Sequence, residues 1–245
     1  MKSFFENYGF VILSAIVIII LIGISTPIGT LVRENISHIV DSFGNKTSQR
    51  LDYAFRELQK GDVIEIAGKE FTIIEQTSTH QYKVLANYLI NNENHVPFNP
   101  NGNNTYKNSE ISKYLNNDVY NSLSDELKNA IVETTIQQMN YSNKEEVNNK
   151  WKLDEGYLKN TSKEKIFIPS WDEITKIYGA NRKSIKDFTL NTNWVYLRDA
   201  FFNGHYKNVL FIYNDGALYD HLSGHDGKIR PAMVLDLSKI EYTVK

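Results

Sequence analysis

The chain contains no cysteine. Disulfide frameworks and thiolate nucleophiles are therefore excluded from its chemistry. Basic and acidic residues nearly cancel, 27 Lys and Arg against 29 Asp and Glu, and the lysines are scattered among glutamates rather than lined up in a stripe. Nucleic-acid binding, which needs a surface of clustered positive charge, is not expected. There is no Gly-x-Ser-x-Gly elbow, no His-Glu-x-x-His pair and no phosphate loop. The common hydrolytic and nucleotide-binding mechanisms thus have no sequence support. Asp62, Glu65, Glu70 and Glu75 miss the ligand spacing of a calcium loop. No residue is nominated as catalytic, no cofactor is implied, and no internal repeat divides the chain.

What is present begins with an absence of charge. From Gly9 to Val32 there is no ionisable side chain, and the run reaches the roughly 20 apolar residues that a bilayer-crossing helix needs. A cleaved signal peptide needs a basic leader and a shorter apolar stretch. Here Glu6 offsets Lys2, and Pro27 crowds the only small-residue pair, Gly23 and Ser25. A type IV prepilin has a glutamate five residues after its cleavage point; Gly9-Phe10 fits such a point, but Ser14 stands where the glutamate belongs. Residues 1–32 are read as an uncleaved membrane anchor that contacts lipid through 9–32. Flanking charge says little about orientation. The short N-terminal flank and the cysteine-free domain favour an extracytoplasmic C-terminal domain on a single-pass protein of the cell membrane.

Beyond the anchor, Val32, Ile36, Ile39, Val40, Phe43, Leu51, Ala54, Phe55 and Leu58 recur at helical spacing. They predict an amphipathic membrane-proximal helix over 33–60, interrupted near Gly44–Ser48, which packs on the domain, lies on lipid or self-associates. At Gly61 the period changes to that of strands: Val63–Ile66, a turn at Ala67–Lys69, Glu70–Glu75 and Tyr82–Ala86. Asn91–Asn108 reads as a long surface loop. Ser109–Leu115 and Leu123–Val132 read as helices, the second capped by Ser124. Asn140–Lys165 reads as a polar loop with little core. Ser170 and Glu173 form a capping box that starts a helix to Tyr178. Trp194–Arg198, Val209–Tyr213, Ala217–Tyr219 and Arg230–Asp236 complete the strands. Residues 61–245 are expected to form one mixed α+β domain.

The blocks Gly61–Phe71, Ser109–Asn116, Phe167–Ile174, Trp194–Arg198 and Ile229–Leu235 occur in an order that resembles the bacterial domain of unknown function numbered 6273. That family is in turn similar to the formylglycine-generating-enzyme and C-type-lectin group, through Pro169–Ile174, Trp194–Arg198 and Ile229–Ala232. The resemblance implies a C-type-lectin-like fold. It does not carry the oxidase chemistry of that group, which works through paired cysteines. Fold alone assigns no activity.

Two clusters are worth following for function. His221 and His225, flanked by Asp220 and Asp226, offer neutral imidazole and carboxylate donors; His221, His225 and Asp226 form a candidate metal set. An i,i+4 pair converges when a helix carries both rings, and Gly224 and Gly227 argue for a loop. Asn214-Asp215-Gly216 is similar to the Asn-Asp pair of calcium-dependent lectins, and a hairpin turn explains it more simply. Aromatic residues crowd the last third: Trp171, Trp194, Tyr196, Tyr206, Tyr213 and Tyr219. Trp194, Leu197 and Leu210 are expected in the core. Tyr206, Tyr219 and His221 are expected at the surface, as candidates to stack on a ligand. Arg198 and Arg230 are expected in structural hydrogen bonds or a buried carboxylate pair, with Asp199 or Asp172 as partners.

These features predict a non-catalytic binding or adhesion module that recognises an extracellular glycan, peptide or surface protein. The alternative is a pilin-like or conjugation-apparatus subunit that assembles as a homo-oligomer through its first helix.

Overall fold

The computed structural model describes residues 58–90, 96–202, 207–225 and 227–245. The expected anchor, all but the last residues of the expected membrane-proximal helix, and Tyr206 and Asp226 lie outside the described residues. Among the described residues no helix is long and apolar enough to cross a membrane.

The first strands form as the alternation predicts. β1 (Val63–Ile66) and β2 (Lys69–Ser78) are joined by a two-residue turn in which Ala67 and Gly68 both have positive φ, 49° and 76°. That geometry matches the right-handed twist of a hairpin. β2 continues through a second hairpin into β3 (Gln81–Ala86). A helix capped by Ser109 follows: α1 (Glu110–Tyr114) runs on through a π-helical segment, Leu115–Val119, to Tyr120–Ser122. α2 (Asp125–Ala130) is capped by Ser124, which accepts from the Leu127 amide. The helix expected to reach Val132 stops at Ala130, because Ile131 and Val132 form β4 and pair with a later strand.

The polar stretch expected as a loop is mostly sheet. β5 (Thr134–Tyr141) is followed by the hairpin β6 (Lys144–Val147) and β7 (Lys150–Leu153), then by β8 (Tyr157–Glu164). Its composition misleads for a physical reason: β8 is an edge strand with one paired flank, and an edge tolerates the Lys, Asn and Ser that a central strand excludes. β9 (Ile166–Phe167) leads into α3 (Trp171–Tyr178), whose capping box has both reciprocal bonds. α4 (Arg182–Ile185), β10 (Val195–Phe202), β11 (Lys207–Ile212), β12 (Leu218–Leu222), β13 (Ala232–Asp236) and β14 (Thr243–Val244) complete the chain.

The larger sheet has the order β14-β1-β2-β3-β13-β4, with β9 also on β13; the second is β12-β11-β10-β5-β8. Within the second, β10 and β5 run parallel and the other pairs antiparallel. The fold is thus mixed α+β, mostly sheet with short helices. One apolar cluster includes Phe71, Val84 and Met233 from the larger sheet, and Leu197, Leu210 and Phe211 from the second. The expected surface loop also contributes to it: Phe98 and Tyr106 are fully buried, and the Tyr106 amide donates to Gln138 Oε1 at 2.8 Å.

A buried charge network links the sheets through α3. Glu173, 5% exposed, accepts from Lys83 of β3 at 2.9 Å and pairs with Arg198 of β10 at 3.2 Å. Lys83 also reaches Glu75 of β2 at 2.7 Å. Arg198 donates further to the carbonyls of Ile168 and Gln137, at 2.6 and 2.8 Å. Its carboxylate partner is Glu173; Asp172, one residue away, is exposed, because consecutive helix positions lie about 100° apart. Burial would raise the Glu173 carboxyl, but the Arg198 and Lys83 charges hold it down to about 2. Burial pushes Asp199 the other way, up to about 6, against Arg198 and the backbone amides of Trp171 and Met139. Arg230 has the structural role expected: it donates to the carbonyls of Ala86 (2.6 Å) and Phe188 (2.7 Å) and to Asn87 Oδ1 (2.8 Å).

Candidate functional site

β12 forms one edge of the second sheet. Its register sets Tyr219 opposite Phe211 and His221 opposite Val209, and β10 sets Tyr196 opposite Phe211. Cross-strand partners share a face, so these five side chains line one side of the sheet. Asp220 points to the other side, where Lys144 pairs with it and Asn208 Nδ2 donates to it at 2.6 Å. The carboxylate nearest the histidines in sequence is therefore already engaged elsewhere.

Trp194 completes the open side. It is half-buried, whereas a central-strand reading expects full burial, because β10 begins one residue later. Its φ is +58°, a left-handed conformation that is costly for a bulky L-residue. Backbone pairing with the segment after His225 holds it there: Lys228 N donates to Trp194 O at 2.7 Å, and Tyr196 N to Lys228 O at 3.0 Å. Five rings surround the indole, with centroids 5.8 Å (Phe211), 5.3 Å (Tyr213), 5.4 Å (Tyr219), 6.1 Å (His221) and 5.5 Å (His225) away. Strain held in place by surrounding structure is a recurrent mark of functional sites.

The His225 ring reaches this cluster through a turn rather than a helix. Its amide donates to Leu222 O at 3.0 Å, and its carbonyl accepts from the Tyr196 hydroxyl. Ser223 fixes the same turn from beneath: its carbonyl accepts from Asn99 N at 2.9 Å, and its hydroxyl donates to Asn99 O at 3.2 Å. The two imidazole centroids come to 4.3 Å. Gly227 lets the returning chain lie flat on the rings, since a Cβ there would meet Phe211 and Tyr196 at 2.7 Å. Tyr219 is 44% exposed, so the ring cluster opens to solvent at the sheet edge.

The structure therefore brings Tyr219, His221 and His225 together. Among the described residues no group of three or more His, Cys, Asp or Glu is placed to hold a metal ion. Asn214-Asp215-Gly216 is the β11–β12 hairpin turn: Gly216 N donates to Tyr213 O, Ala217 N to Asp215 Oδ1, and Asp215 also pairs with Arg182. Sequence reasoning missed Trp194 and Tyr213 as members of the site. The available signal was Asn191-Thr-Asn193, a turn-forming run directly before the tryptophan.

A separate groove of about 800 Å³ lies between Lys69, Tyr88 and Ile90 on one side and Tyr114, Val119 and Leu123 on the other. It lacks the strained residue and the imidazole pair, and burial has pushed the Tyr88 phenol up to about 12.

Residues 80–237 match the family model described as Domain of unknown function (DUF6273). The chain belongs to this family. The matched segment runs from the β2–β3 turn to the end of β13 and contains every described ring of the cluster, whereas β1, β2 and β14 fall outside it. No curated protein and no solved structure matches the chain.

Proposed function

We propose that this DUF6273 protein is a non-catalytic binding module, held at the outer face of a cell membrane by residues 9–32, that seats its ligand on the Trp194 ring cluster. The observation that carries the reading is Trp194 itself: a half-buried indole at positive φ, ringed by Tyr213, Tyr219, His221 and His225, and open beside the exposed Tyr219. Tryptophan and tyrosine offer large contact area at low entropic cost, and dominate binding hot spots. Of the three ligand classes expected from the sequence, a glycan fits best. A sugar ring presents one apolar face to an aromatic ring while its hydroxyls need polar partners, and the tyrosine hydroxyls and imidazole nitrogens around the indole supply them. The C-type-lectin-like relationship belongs to the same proposal. It rests on the three short blocks at Pro169, Trp194 and Ile229.

The test is a glycan and peptide array probed with the full-length protein in mild detergent. A saccharide hit that weakens at least tenfold in Tyr219→Ala and Trp194→Ala supports the reading. Binding to peptides alone, or a saccharide hit unchanged by both substitutions, overturns it.

A further inference from the structure

We infer that His221 and His225 form a two-imidazole site for a first-row transition ion, with zinc as the reference case. This inference is independent of the ligand reading, because it concerns the metal alone. Three observations support it.

The first is proximity. The two rings approach to 4.3 Å between centroids with their planes tilted by 55°. Two imidazoles on one zinc, each bonded at about 2.0–2.1 Å, have centroids roughly 5 Å apart, so the rings must part by about 1 Å and turn a nitrogen of each toward the ion to admit it. The second is an unmet bonding demand. His221 Nδ1 is buried and has no hydrogen-bond partner. A buried polar nitrogen left unpaired is destabilising, and a metal ion that accepts the Nδ1 lone pair satisfies it. The third is preorganisation. His221 is fixed by strand pairing to Val209, and the turn from Leu222 to His225 is tied to Asn99 and to the Tyr196 hydroxyl. The backbone of both ligands is therefore held before the ion arrives.

The donor set decides the class of ion. Calcium and magnesium take oxygen ligands, and Asp220 is turned to the far side of the sheet and bonded to Lys144 and Asn208. Neutral imidazole suits zinc, nickel and copper. With two protein ligands, water completes the coordination shell and leaves positions that another molecule can fill.

Calorimetric titration of the full-length protein in detergent with zinc chloride is the test, since no unidentified ligand is involved. One ion per chain with a micromolar Kd is expected. His221→Ala and His225→Gln should each raise that Kd at least tenfold, while His80→Ala leaves it unchanged. Trp194 lies 6.1 and 5.5 Å from the two rings, so copper(II) should quench its emission in the parent protein and not in His221→Ala. Near-ultraviolet circular dichroism identifies any variant that has lost its packing. His225→Gln, on the turn, then remains the deciding case. Absence of stoichiometric zinc binding, or an unchanged Kd in the His221→Ala/His225→Gln double variant, overturns the inference. Tyr219→Ala should lose the glycan and keep the zinc, so the two readings fail separately.

Discussion

Replacing Glu173 by glutamine should be among the most damaging single changes in the domain, and its effect should depend on pH in a defined way. Glu173 lies between Arg198 at 3.2 Å and Lys83 at 2.9 Å, and Arg198 is 2% exposed. The neutral amide keeps the shape but leaves a buried guanidinium without its counter-charge; breaking a buried pair in this way costs about 3–5 kcal/mol. Against a total stability of about 5–15 kcal/mol that is a large fraction. A domain of this size loses roughly 2–4 °C per kcal/mol, so Tm should fall by roughly 6–20 °C near pH 7. The sign of the pH effect follows from the depressed carboxyl. Its value is 4.5 in the reference state and about 2 in the fold. Its contribution, about 3 kcal/mol, is present above pH 4.5 and is lost as pH falls toward 2. The gap between parent and Glu173→Gln should therefore narrow between about pH 5 and pH 2.5. Denaturant melts of the full-length protein in detergent, followed by tryptophan emission at stepped pH, measure it. A difference below about 0.5 kcal/mol at pH 7, or a gap that does not change with pH, refutes the reasoning. The double variant Glu173→Leu/Arg198→Met, which removes both charges, should be less damaged than Glu173→Gln.

Asp199 works in the opposite sense: raised from 3.8 to about 6, it adds stability that is fully present below pH 3.8 and is lost as pH rises through 6. Its contribution should thus grow by about 2 kcal/mol from pH 7 to pH 4.5, and Asp199→Asn should flatten that slope in the same melts. Gly216→Ala should destabilise by more than about 2 kcal/mol, since its φ is +81° and the new Cβ would stand 1.9 Å from the Arg182 carbonyl oxygen; a neutral result by thermal melting would sink this account of the turn. Ser170→Ala removes the side-chain bond to the Glu173 amide and should cost about 1 kcal/mol, a loss that Ser170→Asp restores.

The fold was legible where local chemistry decides it. Ser109, Ser124 and Ser170 cap helices where their positions predict, and the alternation in Val63–Ile66 and Tyr82–Ala86 gives strands. It was not legible where pairing decides. Ile131 and Val132 continue a helical pattern but are claimed by β13, and the polar residues of β8 become sheet only because β5 lies beside them. The site divides in the same way. The exposure of Tyr219 could be read from its place near a turn, and the burial of Leu197 and Leu210 from their strands. That Trp194 would stand at positive φ with His221 and His225 against it could not, because a strand register and a turn bring those rings together rather than any sequence spacing.

The most direct test of the ring cluster as the binding surface is one titration. The best saccharide from the array is added to uniformly labelled full-length protein while the indole N–H resonances of Trp151, Trp171 and Trp194 are followed. The account predicts a saturable shift of the Trp194 signal, with Trp171, 6% exposed in the core, unmoved, and loss of that shift in Tyr219→Ala. Saturable binding that leaves Trp194 unmoved would contradict it.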